Sequence, residues 1–210
     1  MASPSEWRCS RCSWHDGDVV TGLAESLDDG PQLLDAGAMQ RITMRLAHEI
    51  AERHPVLDCV VLVGIPTRGV PLARAVAHQL ARLGHTPPPV AALDPSAHRD
   101  DRPRPAAPHP ALYDVDGGPA PRIDASVVIV VDDVLYTGRT LRAALDALVD
   151  CGRPAAVEVL TLIDRGHREL PLRATYVGKN VPTAPGDRVF VRLREVDGVD
   201  GAWLRRGVQP

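Results

Sequence analysis

The sequence predicts an α/β fold with a mainly parallel sheet flanked by helices. Three aliphatic runs carry that prediction: Cys59-Val-Val-Leu-Val-Gly64, Val127–Val131 and Val157–Ile163. Each is continuous rather than alternating, the pattern of strands covered on both faces. The first two pass through short loops into segments with apolar residues at helical spacing. Strand, helix, strand, helix, strand favours parallel pairing, and in such sheets ligands bind beyond the carboxyl ends of the strands.

Residues 1–33 show no apolar periodicity and predict a poorly ordered extension, leaving 34–210 as the folded domain. The first helix runs from about Asp35 to Arg53, ahead of Pro55, with Met39, Ile42, Leu46 and Ile50 on one side. Arg41, Arg45, His48 and Glu52 share the opposite stripe, read by spacing alone as a solvated face. After the strand 59–64, Ile65-Pro-Thr-Arg-Gly69 forms a tight loop, and a helix continues through Leu72, Val76, Leu80 and Leu83 to Gly84. A short strand at Val90–Leu93 leads into residues 95–122, which hold seven of the 20 prolines. A loop of that length inside a compact domain is disordered or a functional lid. Order returns with Val127–Val131, a solvent-facing loop Asp132–Arg139, and a helix carrying Leu141, Ala144, Leu145 and Leu148 as far as Gly152. Strand-like pieces at Ala174–Val177 and Arg188–Leu193 complete the chain.

With 210 residues, 44% of them hydrophobic and only 3% aromatic, the chain is long enough for one domain with an aliphatic core. A net charge of −3 does not mark a nucleic-acid binder, although a local basic face is compatible with it. No apolar run reaches membrane-spanning length and the N-terminus lacks a signal-peptide core, so a cytoplasmic protein is expected. Cys59 and Cys151 sit where small core or boundary residues belong. Cys9 and Cys12, followed by His15, lack the second pair that a four-ligand zinc site needs, which leaves metal binding there open.

The segment Val128-Ile-Val-Val-Asp-Asp-Val-Leu-Tyr-Thr-Gly-Arg-Thr140 carries the chemistry. A rigid strand ends in Asp132 and Asp133, then Thr137, Gly138, Arg139 and Thr140 turn backbone N–H groups and hydroxyls toward the start of a helix. There the dipole favours an anion such as a phosphate. Two adjacent acids would repel that phosphate. They suit ribose hydroxyls and the positive charge that grows on ribose C1 during transfer. Thr67, Arg68 and Gly69 add N–H, hydroxyl and guanidinium donors at a second strand end.

This stretch resembles the phosphoribosyl-pyrophosphate (PRPP) motif of type I phosphoribosyltransferases. The resemblance implies that fold, with a small hood beside the sheet, and Mg²⁺-dependent transfer with release of pyrophosphate. It assigns the 5′-phosphate to Thr137, Gly138, Arg139 and Thr140, the pyrophosphate to Thr67, Arg68 and Gly69, and catalysis to Asp132, Asp133 and Arg99, with Mg²⁺ carried by PRPP rather than by a protein metal site. Further motifs narrow the likeness: Arg45-Leu-Ala-His-Glu-Ile-Ala-Glu-Arg53, Val63–Gly69, Asp164-Arg-Gly-His-Arg-Glu-Leu-Pro171 and Tyr176-Val-Gly-Lys-Asn-Val-Pro-Thr183. Across about residues 34–200 the chain is similar to the PyrR family, pyrimidine operon attenuators that are also uracil phosphoribosyltransferases. That implies uracil and PRPP as substrates and UMP as product. It also implies a leader-RNA hairpin bound under control of UMP or UTP, and a homodimer or higher oligomer. By position the base falls to Arg165 and Val189, and the RNA to Arg41, His48, Arg53, His167, Arg168 and Lys179.

Three departures from the family bear on activity. Its lid reads Asp-Ile-Thr-Leu-Tyr-Arg-Asp-Asp-Leu, whereas here Asp94-Pro-Ser-Ala-His-Arg-Asp-Asp-Arg102 stands in that place. Pro95 removes a ladder donor, so the lid's root is not expected to be a regular strand. Met44 and Thr175 replace a Thr and an Asp. These changes keep alternatives in view: a nucleotide- or RNA-binding regulator with weak or no uracil turnover, or a paralogue acting on another base.

Overall fold

The computed structural model of the protein describes residues 30–100 and 111–207. A six-stranded sheet has the order β4-β3-β2-β5-β6-β7, formed by Leu112–Asp114, Val90–Leu93, Val60–Gly64, Val127–Leu135, Ala156–Asp164 and Tyr176–Asn180 respectively. All neighbours are parallel except the edge pair β3–β4. A smaller antiparallel sheet, the hood, has the order β1-β9-β8 from Gln32–Leu34, Gly201–Arg205 and Arg188–Arg192. Helices α1 (Ala36–Arg53), α2 (Gly69–Arg82) and α3 (Arg139–Cys151) flank the main sheet, and one turn, α4 (Arg194–Asp197), belongs to the hood.

The aliphatic runs become the central strands for the reason their composition implies. Val60 to Gly64 are all buried, as are Val128 to Val131 and Val159 to Ile163. One side of the sheet packs α1 and α2 through Leu46, Ile50, Leu72, Val76 and Leu80, and the other packs α3 through Leu141, Ala144 and Leu148. Helix α1 starts where expected: the Asp35 carboxylate accepts from the Ala38 N–H at 2.6 Å, satisfying one of the first-turn donors.

Chain order around the sheet creates a crevice. From β2 the chain crosses through α2 to β3 on one side, whereas from β5 it crosses through α3 to β6 on the other. Strands β2 and β5 lie side by side, with Val60 opposite Val127 and Gly64 opposite Val131. Their carboxyl ends therefore flank a topological switch point, where open α/β sheets bind ligands. Close approach is needed there. A Cβ at Gly69 would fall on the carbonyl oxygen of Val131, so only glycine lets α2 start against β5.

Two sequence expectations are corrected. The loop expected to begin at Asp132 begins later: β5 continues to Leu135, because Asp132 pairs with Thr161 and Val134 with Ile163 of β6. The boundary expected between residues 33 and 34 falls inside a strand, since Gln32 and Leu34 pair with Trp203 and Ala202 of β9. Cys9, Cys12 and His15 lie outside the described residues. Cys59 is exposed just before β2, at the boundary rather than the core of the two positions expected for it. Pro95 does exclude a strand at the lid's root, and Ser96–His98 form a single 3-10 turn.

A buried carboxylate ties α1 to the far end of the sheet. Glu158 accepts from Arg53 Nε at 2.7 Å, from the Tyr176 hydroxyl at 2.6 Å, and meets His54 Nε2 at 2.9 Å. Burial by itself would raise its pKa, but these hydrogen bonds outweigh it and hold the carboxyl below its ordinary value. A depressed carboxylate stabilises the fold above its unfolded-state pKa and loses that contribution as pH falls through the folded value. Glu158→Gln should cost about 1–3 kcal/mol in denaturant unfolding near neutral pH. The difference from wild type should shrink in acid.

Candidate phosphoribosyl site

Two helix starts face the crevice, and neither has the cap that α1 has. The N-cap residue of α2 is Arg68 and that of α3 is Gly138, and neither residue's side chain bonds its helix start. The Gly69 N–H bonds the Ile65 carbonyl, Pro71 has none, and the Arg139 N–H meets the Thr137 hydroxyl at 3.3 Å, so the two helix dipoles at the switch point are what favour an anion there. Gly138 sits at φ +90°, a conformation an L side chain adopts only with strain.

Between these helix starts lies a cavity of about 610 Å³ lined by Thr67, Arg68, Asp94, Arg99, Asp132, Asp133, Tyr113 and Thr140, among others. Three of the segments singled out in the sequence thus converge: the loop after β2, the lid root and the β5–α3 connection. Asp132 and Asp133 are the most strongly perturbed acids. Burial raises the Asp132 carboxyl well above its usual range, the neighbouring Asp133 charge adds to this, and Arg99 opposes it. Burial also raises Asp133, against the hydrogen bond from Asp132 and the charge of Arg68. Arg99 and Arg68 thus each favour the charged form of one acid against the effect of burial.

Arg68 is held from the hood. Its Nε and NH2 donate to Asp197 at 3.1 and 2.7 Å, and the same carboxylate accepts from the Leu193 N–H at 2.9 Å. Asp197 thus joins α4 to the loop after β2. A second cavity of about 470 Å³ continues past Arg68 and Asp133 under the hood, where Val189, Phe190, Arg192 and Arg205 line it. Val189 stands there as expected while also packing on the core. Sequence reading missed Phe190, whose ring lies 4.8 Å from the Arg205 guanidinium carbon, and Asp197. The alternation Arg188-Val-Phe-Val-Arg192 was the available signal for the first; Asp197 had none. Arg165 is not among the residues lining that cavity. It is buried, donates to Thr183 Oγ1 and the Ala184 carbonyl, and lies 4.0 Å over the Tyr136 ring.

In the loop before α3 the Arg139 side chain turns outward to Glu169 at 2.7 Å and Asp100 at 3.0 Å, while its backbone N–H meets the Thr137 hydroxyl at 3.3 Å. Arg168 donates to the carbonyls of Leu135, Tyr136, Gly166 and Leu172 and pairs with Asp164. The sequence placed Arg168 apart from the phosphoribosyl loops; in fact it braces the end of β5. The other positions assigned to RNA lie mostly on the surface. Arg41 and His48 are exposed on α1, Arg53 is bound to Glu158, Lys179 donates to the Leu33 carbonyl, and His167 meets the Thr183 carbonyl at 2.5 Å. Gly178 of β7 lies against Ile42, and Arg45 donates to the carbonyls of Val177 and Gly178, so the basic face of α1 and Lys179 border one edge of the sheet.

The switch-point crevice, the two uncapped helix starts and the paired acids define a phosphoribosyltransferase site. A phosphoribosyl transferase domain family matches residues 29–190, and the chain belongs to it. Solved structures agree in fold: hypoxanthine phosphoribosyltransferases of Staphylococcus aureus (TM-score 0.61, 20% identity, 82% of this chain and 90% of that one) and of Trypanosoma cruzi (0.63, 17%, 86% and 99%). Within that class the chain is a member of the PyrR family. It is 52% identical to the Bifunctional protein PyrR of Chloroflexus aurantiacus, over 84% of this chain and 95% of the relative. It is 49% identical to that of Ligilactobacillus salivarius, over 83% and 98%.

Because both acids are raised, the penalty for their charges is present above their folded pKa and is relieved as pH falls toward the unfolded value. Asp132→Asn should therefore raise the melting temperature at neutral pH by a few degrees and remove part of the gain in stability on mild acidification, followed by calorimetry. The same substitution, alone or with Asp133→Asn, should lower transfer roughly a hundredfold or more. A variant with wild-type turnover would exclude the ribose role.

Proposed function

We propose that the chain transfers ribose 5-phosphate from PRPP to uracil, giving UMP and pyrophosphate, and that it also binds leader RNA of a pyrimidine operon in response to uridine nucleotides. The observation that carries the first part is the convergence of two uncapped helix starts on the acid pair. It offers two anion sites separated by a place for a cationic carbon.

In this reading the backbone of Gly138 to Thr140 and the hydroxyls of Thr137 and Thr140 hold the 5′-phosphate. Asp132 and Asp133 hold the ribose and stabilise charge at C1 as the pyrophosphate leaves. Thr67, Arg68 and Gly69 receive the pyrophosphate, with Arg99 closing from the lid root. The base lies under the hood against Val189, with Phe190 as a second wall. Arg165, the other residue assigned to the base, lies outside that lining and is held by Thr183 and the Ala184 carbonyl. Asp132 and Asp133 are hard oxygen donors suited to Mg²⁺. Among the described residues no group of three or more His, Cys, Asp or Glu converges on a point. Such an ion would take its remaining ligands from water and PRPP, and it would neutralise charge on the departing pyrophosphate.

The RNA part rests on Arg41, His48 and Lys179 bordering one edge of the sheet, with Arg53 and His167 at its margins. Basic side chains drawn from separate segments suit a phosphate backbone. A homodimer or larger assembly and a cytoplasmic location belong to the same reading.

The deciding assay is pyrophosphate release with uracil, compared with a panel of other bases; release with another base but not uracil would make this a paralogue of different specificity. For RNA, a hairpin from the gene's own leader should bind more tightly with UMP than without, with affinity falling steeply as salt rises. Arg41→Ala and His48→Ala should weaken that binding while sparing transfer. Arg168→Ala should reduce transfer as well, because it unbraces Leu135 and Tyr136. Equal affinity for leader and scrambled RNA, indifferent to UMP, would remove the regulatory half.

A further inference from the structure

Tyr113 lines the phosphoribosyl cavity, although it stands outside every motif that marks the site. It lies on the antiparallel edge strand β4, where it pairs with Ala92 of β3 one position before Leu93. Its large ring is 42% exposed, an unusual state for an aromatic residue in a chain with only three tyrosines and one phenylalanine. Part of that exposed surface lines the cavity.

Strand order fixes which part of a bound substrate it would face. Crossing the cavity, the first elements are β5 and α3 with Asp132, Asp133 and Thr140. Next comes the loop after β2 with Thr67 and Arg68. The last are the end of β3 with Asp94 and then β4 with Tyr113. A substrate with its 5′-phosphate on α3 and its ribose over the acids therefore directs its pyrophosphate toward β3 and β4. On that far wall Asp94 is an acid, but it is turned onto its own loop, accepting from the Ser96 N–H at 2.9 Å and from the Ser96 hydroxyl. Tyr113 is left as the neutral donor on the wall. Burial and the Asp94 charge both favour its protonated form, so the phenol keeps its proton to donate.

We propose that Tyr113 is a substrate-binding residue whose phenol hydroxyl donates to the pyrophosphate group of PRPP, opposite Thr67 and Arg68. The inference rests on the phosphoribosyl reading of the cavity. It adds a contact in the region where Pro95-Ser-Ala-His98 replaces the hydroxyl-bearing lid sequence of the family. The donor comes from the strand beside the lid rather than from the lid root.

Isothermal titration of the full chain with inorganic pyrophosphate plus Mg²⁺, with PRPP plus Mg²⁺, and with UMP tests this. Tyr113→Phe should weaken pyrophosphate and PRPP about tenfold, the weight of one hydrogen bond to a charged acceptor. Affinity for UMP, which carries the 5′-phosphate, ribose and base but no pyrophosphate, should stay at the wild-type value. Unchanged pyrophosphate affinity in Tyr113→Phe, or an equal loss for UMP and pyrophosphate, overturns the proposal while leaving the phosphoribosyl reading intact. Wild-type protein that binds neither PRPP nor UMP overturns both.

Discussion

Strand β5 is bonded along both edges, to β2 through Val131 and to β6 as far as Leu135, and everything at the site depends on that double pairing. Aspartate disfavours strands, and two in succession would ordinarily end one. Here the continued ladder with β6 holds them extended, half-buried and side by side at the switch point. Their charges are costly there, since each is raised by burial and Asp132 also by its neighbour. A site that stabilises a transient positive charge needs negative charge held in advance, in place of water. The cost to the empty protein and its fitness for transfer are the same electrostatic fact.

Three arginines from separate parts of the chain border the elements that carry the acids, and each is anchored by its own partners. Arg68 is clamped by Asp197 in the hood, so the loop after β2 and the cavity under the hood share one bidentate ion pair. Arg139 faces outward, held by Glu169 and Asp100. Arg168 stitches four carbonyls around the turn after β5. With these side chains held, the starts of α2 and α3 present mainly main chain and helix dipole to the crevice. That choice suits phosphate: main-chain donors at a helix start are fixed by the fold and lose no side-chain freedom on binding. The exposed ion pairs among them add little stability. Their contribution is to orientation.

What the relatives and the motifs share with this chain is the phosphoribosyl machinery. In the lid region Ser96–His98 form a single 3-10 turn rather than a strand. Proline accounts for the local geometry, and the following strand β4 returns antiparallel to β3, closing the sheet on that side. The wall of the cavity is therefore built from β3 and β4, and a residue on β4 comes within the site.

The parts of the protein legible in its sequence are those whose signal is local. Continuous aliphatic runs announce strands buried on both faces, Met39, Ile42, Leu46 and Ile50 announce α1, and Thr137-Gly-Arg-Thr140 announces an anion at a helix start because all its donors are contiguous. Strands β1, β4 and β9 were not legible. Each is short, and it is the pairing with another strand that makes it extended. The end of β5 was misread for the same reason: Asp132-Asp133 reads locally as a loop, and the bond to Thr161 decides otherwise. Tertiary structure alone brought Asp197 to Arg68, 129 residues away, and gathered Arg53, His54 and Tyr176 around Glu158. Periodicity reports which face of an element is apolar, but it carries no information about which distant side chain meets a charge. That is settled by strand order and register, when the sheet closes and leaves each buried carboxylate only the donors that packing has put beside it.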